Sequence, residues 1–230
     1  MLNIPNIQQA MSVFVAEELS EVLNTKVMIG RINIGLLNRI IIDDVLLDDQ
    51  SGQEMLKVTR LSAKFDIMPF FKGKISISSV QLFGFNINLR KETPDSPPNF
   101  KFVLDAFASK DTVKKENSLD LRINSILIRR GRMSYHVLSE EETPGKFNAK
   151  HIQLQNIIAN ISLKALSKDS LNLGIKRLSL DEKASGFSLK KMSLKLVANN
   201  KQTNIDNFTI ELPETSLKLD TIHLEYDSLK

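Results

Sequence analysis

Three histidines, His136, His151 and His223, are the side chains best suited to metal ligation or to proton transfer near neutral pH. They stand far apart in the chain and show none of the short spacings of a metal motif, so they read as surface or loop residues and no metal site is expected. Two acidic pairs, Asp43-Asp44 and Asp48-Asp49, could form a carboxylate site. Adjacent strand residues point to opposite faces, however, and no glycine follows where a calcium loop needs one. Serine is abundant, but none sits in a G-x-S-x-G turn, and there is no G-x-x-x-x-G-K-S/T phosphate cradle. The chain has 0 cysteines, which removes disulfides, thiolate metal sites and cysteine nucleophiles. These absences predict a protein that is not an enzyme and uses no cofactor. Basic residues cluster at Arg129, Arg130 and Arg132, at Lys190-Lys191, and at Lys72 with Lys74. They fit solvated turns between strands, or contacts with anionic headgroups at the rim of a groove. Aromatic residues make up only 6%, with no tryptophan, and the net charge is +4. Nucleic acid is therefore not an expected partner, since basic residues without interleaved aromatics do not build a base-stacking surface.

The elements that would position these residues are mostly strands. One spacing recurs: apolar, x, apolar, x, x, apolar, x, apolar. It occurs at Ile40, Ile42, Val45, Leu47; at Ile75, Ile77, Val80, Leu82; and at Leu121, Ile123, Ile126, Ile128. It returns at Leu173, Ile175, Leu178, Leu180; at Phe187, Leu189, Met192, Leu194; and at Leu217, Leu219, Ile222, Leu224. Strand side chains alternate, so a three-residue step would turn the apolar set to the other face. A one-residue bulge or tight bend absorbs the step and keeps the set on one side. The intervening residues are polar, which predicts an antiparallel sheet with one aliphatic and one wetted face.

Two segments read as helix: Pro5 to Leu23, with Pro5 suited to the first turn, and Asn99 to Ser109, with Asn99 as the candidate cap. The proline-containing stretch before the second helix makes 93–118 a linker between two sheet segments, 1–92 and 119–230. The expected fold is mostly β: an elongated, curved antiparallel sheet with an N-terminal amphipathic helix and a second short helix. No stretch is long and apolar enough to span a bilayer; even the most apolar one, Ile32 to Leu47, is cut by Asn33, Asn38, Arg39, Asp43 and Asp44. The start and end of the chain read as those of a piece of a longer protein. With a weaker copy at Ile152, Leu154, Ile157, Ala159 and a close variant at Ile205, Phe208, Ile210, Leu212 there are eight apolar units, more than two helices can cover. Either the sheet closes on itself as a sandwich, or it stays open as a trough with an aliphatic lining.

The segment Ile4-Pro5-Asn6-Ile7-Gln8 leads into a helix, then Lys26-Val27-Met28-Ile29-Gly30, then Ile42-Asp43-Asp44-Val45. Leu61-Ser62-Ala63-Lys64-Phe65, Met68-Pro69-Phe70-Phe71-Lys72-Gly73-Lys74 and Ile75-Ser76-Ile77 follow. This order resembles the start of the periplasmic part of AsmA-like proteins, most of all the Bacteroidota form of TamB, the translocation and assembly module family. Asn99-Phe100-Lys101-Phe102-Val103-Leu104-Asp105 and Ser185-Gly186-Phe187-Ser188-Leu189 also resemble that form. The resemblance implies strands rolled into a taco-shaped groove, similar to chorein-type lipid-transfer proteins, that carries phospholipid between the inner and outer membranes. It implies periplasmic placement, an inner-membrane anchor preceding this segment, and an outer-membrane barrel partner met by a region that follows it. On that reading the acyl chains lie along Ile75, Ile77, Val80, Leu82, Leu121, Ile123, Ile126, Ile128, Leu173, Ile175, Leu178 and Leu180, with Arg129, Arg130 and Arg132 at the headgroup rim. The alternatives are a scaffold that assembles outer-membrane proteins by strand pairing and a closed sandwich that acts as a binding module.

Overall fold

The computed structural model describes residues 5–35, 38–65, 75–108, 119–166 and 170–226. Helix α1 (Pro5–Leu23) precedes four strands: β1 (Val27–Gly35), β2 (Arg39–Asp48), β3 (Glu54–Phe65) and β4 (Ile75–Lys91). Helix α2 (Lys101–Ala108) precedes six more: β5 (Leu119–Val137), β6 (His151–Leu166), β7 (Ser170–Glu182), β8 (Ser188–Asn199), β9 (Gln202–Glu211) and β10 (Ser216–Glu225). All ten strands form one sheet in chain order, and β1 and β10 do not pair. The sheet is open and curved. Among the described residues no second sheet lies over it, so of the two expected arrangements the open sheet is the one formed.

The sheet is antiparallel, as expected, at every junction but one. Eight neighbouring pairs are antiparallel, but β4 and β5 run parallel over registers from Ile75↔Leu119 to Lys91↔Val137. A parallel neighbour requires the chain to return to the same end before pairing, which takes a dozen or more residues. Of the stretch 93–118, expected as a linker between two sheet segments, 109–118 lie outside the described residues; the rest contains α2, and the strands on either side of it are neighbours in one sheet.

Helix α1 has the bounds its apolar spacing predicts, and Asn24 follows it at φ 48, the left-handed conformation that ends helices and that asparagine tolerates. Its C-terminal turns enter the core. Leu19 and Leu23 pack with Val27, Leu47, Met55 and, from α2, Phe102, Val103 and Ala106. Val13 and Phe14 stay 50% and 63% exposed. Asn99 does not cap α2. Its side-chain oxygen accepts from Arg90 N at 3.0 Å, and its amide donates to Asn88 O at 3.0 Å and Asp49 Oδ2 at 3.1 Å. It thereby ties the crossover to the sheet.

The three-residue steps keep the apolar set on one side in two ways: from β1 to β5 by bends matched from strand to strand without a register shift, and farther on by bulges that shift the register. Across β1 to β5 they align: Gly30, Asp44, Thr59, Gly84 and Arg130 fall between apolar residues on either side, and the pairings Ile29↔Val45, Val45↔Val58 and Val58↔Phe85 resume beyond them. Asp44 (φ 56), Gly84 (φ 65) and Arg130 (φ 56) occupy the left-handed region there. In β6 to β10 the bulges stagger, with Asn156 (φ 55) and Asn207 (φ 53) marking two of them. Asp43 and Asp44 sit between Ile42 and Val45, which share the apolar face, so both fall on the polar side. The alternation argument for that pair therefore fails at the bend, where Asp44 has φ 56. Asp43 instead holds Arg60 at 2.6 Å.

The fold leaves much surface uncovered. The chain exposes 15768 Å², against about 10,500 Å² for a compact monomer of its mass.

Candidate functional site

The registers join the apolar steps into continuous rows. One runs unbroken across all ten strands: Ile32, Ile42, Leu61, Leu82, Ile128, Ala159, Leu178, Met192, Ile210 and Leu217. Beside it lies Ile40, Ala63, Val80, Ile126, Ile161, Ile175 and Leu194. A third comprises Leu163, Leu173, Leu196, Ile205 and Ile222. No polar side chain interrupts any of the three. At about 4.8 Å per strand the first row is about 43 Å long, well beyond the roughly 15 Å depth of one bilayer leaflet's chains.

At the end of this face nearest α1 and α2, those helices cover β1 to β3. Farther on, the sheet covers itself. Val58, Phe85 and Ile157 are 4%, 6% and 9% exposed, and the hydrophobic residues packed on them come from β2 to β7 alone. Gly131 makes this possible. It is buried without a side chain, and the Phe85 ring lies over it toward Ile157.

Of the residues expected to line a groove, Val80, Leu82, Ile126, Ile128, Leu173, Ile175, Leu178 and Leu180 share this face and are half-buried. Ile75, Ile77, Leu121 and Ile123 lie in β4 and β5, but their side chains fall outside the described residues. Sequence reasoning missed Ala159, Ile161 and Met192 as row members. Their spacing was visible, but only register shows that they bridge the rows.

The expected rim arginines lie elsewhere. Arg129, Arg130 and Arg132 occupy the middle of β5 on the side opposite the aliphatic rows, not at a strand end. Arg130 stacks on the Phe83 ring with 5.1 Å to its centroid. With Lys57, Thr59, Asn86 and Asn156, Arg130 and Arg132 line a hollow of about 440 Å³. Lys72 and Lys74 lie outside the described residues. Lys191 lies beside Glu211 at 3.5 Å.

Two buried carboxylates hold loops at the helix end of the sheet. Asp49 is 2% exposed. Its Oδ1 accepts from Ser51 N (2.9 Å), Ser51 Oγ (2.7 Å) and Gln53 N (3.1 Å), and its Oδ2 meets Arg90 Nη2 at 2.6 Å. Burial pushes its pKa up, but the hydrogen bonds from Ser51, Asn99 and Gln53 outweigh that and leave it below the usual value. Glu182, 3% exposed, accepts from the backbone N–H groups of Gln153, Ala184 and Ser185. Burial is again overcome, and its pKa is also lowered. Both are fully engaged and offer nothing to a substrate.

The edge strand β10 is the most open part. Leu217, Leu219 and Leu224 are 47%, 39% and 52% exposed. Among the described residues, no helix is long and apolar enough to cross a membrane. No family model matches the chain, and no curated protein matches it in sequence.

Proposed function

We propose that this chain is a lipid-groove segment: its aliphatic face shelters phospholipid acyl chains while the headgroups stay in water. The reading draws on the resemblance to AsmA-like proteins of the TamB form. It makes the chain a periplasmic piece of an inner-membrane-anchored protein that passes phospholipid toward the outer membrane. The observation that carries it is the uninterrupted ten-strand apolar row on an open sheet over which, among the described residues, no second sheet lies. Burial of one CH₂ stabilises by about 0.8 kcal/mol, so an acyl chain of about fourteen methylenes gains roughly 11 kcal/mol at full contact. A uniform aliphatic wall offers no polar anchor at which the chain would stop, so tight holding and easy sliding are compatible. Passage then needs no catalytic group.

Native mass spectrometry of the purified chain tests this. Discrete added masses that match phospholipids, and that are lost on delipidation, support the reading. A clean apo mass from cells, together with no uptake on mixing with phospholipid, overturns it. The open β10 edge favours a second reading, in which a client strand pairs with that edge during outer-membrane protein assembly. Cross-linking of a client peptide to β10, with no lipid on the aliphatic face, would select it.

A further inference from the structure

His136 and His151 are fifteen positions apart in sequence, but β5 and β6 place them directly opposite each other in register. Their Nδ1 atoms are 3.0 Å apart, and the ring centroids are 5.3 Å apart with planes tilted by 53°. His151 is buried, and its Nε2 lies 2.9 Å from the carbonyl oxygen of Glu140. A carbonyl only accepts, so that nitrogen carries the hydrogen, and in the neutral ring Nδ1 keeps its lone pair. This is the orienting bond typical of a metal-bound histidine. Glu142, on the loop joining the two strands, brings Oε1 to 3.8 Å from His136 Nδ1. The three donor atoms all lie within 4.8 Å of one another.

We propose that His136, His151 and Glu142 form a zinc-type metal site that fastens the 138–150 loop to the sheet. Tetrahedral zinc with bonds of about 2.0–2.1 Å sets ligand atoms about 3.3 Å apart. The two Nδ1 atoms need to separate by only a few tenths of an ångström. Moving the His136 hydrogen to Nε2 frees the lone pairs of both Nδ1 atoms, which now face each other, and a turn of the rings brings them to one point between them. Glu142, 64% exposed, is free to swing inward by the half to one and a half ångströms that separations of 3.8 to 4.8 Å leave to close. Two imidazoles and one carboxylate suit Zn²⁺ better than Mg²⁺ or Ca²⁺, which prefer oxygen alone. Three protein ligands leave a fourth position for water or for a donor from a partner. This site is independent of the lipid reading. The histidine pair was illegible in the sequence because fifteen residues separate its members and only the strand register joins them.

Calorimetric titration of Zn²⁺ into the full chain at about pH 7.5 tests the assignment. One equivalent is expected to bind. His136→Ala should weaken binding by at least roughly 100-fold and Glu142→Gln by at least roughly tenfold, on the scale of lost ligands and their supports. His223→Ala should leave it unchanged. Glu142→Gln alters only an exposed loop side chain, so it reads the site even if His136→Ala unfolds. Absence of saturable binding, or equal affinity in Glu142→Gln and the parent, would overturn the site. In that case the pair is a plain histidine–histidine hydrogen bond.

Discussion

Gly131→Ala probes the packing that lets the aliphatic face cover itself. Gly131 does not have positive φ, so its backbone tolerates alanine; space is the constraint. A Cβ there would lie 2.4 Å from both Cε1 and Cζ of Phe85 and 3.0 Å from Cβ of Ile157. The Ile157 Cβ is fixed to the paired strand and cannot retreat, so the Phe85 ring must leave its buried position between Val58 and Ile157. Overpacking of this kind costs about 1–3 kcal/mol. Replacing glycine stiffens the unfolded chain and returns about 0.4–1 kcal/mol. The net expectation is a loss of about 1–2 kcal/mol, or a Tm lower by about 2–8 °C for a chain of this length. Thermal melts of the parent, Gly131→Ala, Phe85→Leu and the double variant form a cycle. Leucine vacates the ring's space, so the double variant should recover at least about 0.5 kcal/mol relative to additivity. A Gly131→Ala protein as stable as the parent, or a strictly additive cycle, would refute the claim that the Phe85 ring occupies the space above Gly131.

The remaining predictions concern the two faces, the loop clamps and the edge. Ile126→Asp places a carboxylate between Val80 and Ile161 in an apolar row and should lower phospholipid binding at least roughly tenfold, given the cost of burying a charge. Asn160→Asp adds a charge at the same level on the opposite face and should change binding less than twofold; lipid-binding titrations that fail to separate the two variants would count against a one-faced site. Asp49 and Glu182 have pKa values lowered from 3.8 and 4.5, so the stability they confer is present above those values and is lost as pH falls through their folded-state values. Denaturant midpoints measured from pH 7 down to pH 3 should therefore fall less steeply in Asp49→Asn than in the parent. At neutral pH Asp49→Ala should cost about 2 kcal/mol, less than for a fully buried pair because Arg90 is 18% exposed. Leu219→Lys, on the open β10 edge, should leave the Tm within about 1–2 °C, since exposed positions carry little stability, and should reduce self-association measured by light scattering.

Much of this architecture can be read from the residues alone. The step from Ile42 to Val45 over Asp43-Asp44 demands a bulge or a tight bend, because alternation otherwise exposes Val45, and the chain bends there with Asp44 at φ 56 and no shift of register. Helix α1 was legible because Pro5 and Asn24 bracket a run of apolar residues at helical spacing. Strand direction was not. Periodicity within Ile75–Lys91 and Leu119–Val137 is the same whether the two strands run parallel or antiparallel. Only the return of the chain through α2 decides the matter. Asn99 misled for a related reason: asparagine before a helix suits a cap, but here the stronger claim on its amide comes from buried Asp49, fifty residues earlier. The arginines at 129, 130 and 132 marked a bulge rather than a rim, since a bulge turns neighbouring side chains to the same polar side.

The chain has 0 cysteines, so single labels can be placed without background. The most direct measurement attaches an environment-sensitive fluorophore at Ile128→Cys, in the ten-strand row, and separately at Asn160→Cys on the reverse face, and adds short-chain phosphatidylcholine. A blue shift at position 128 with none at 160 is the expected result. No shift at 128, or the same shift at both positions, would contradict an aliphatic face that takes up lipid.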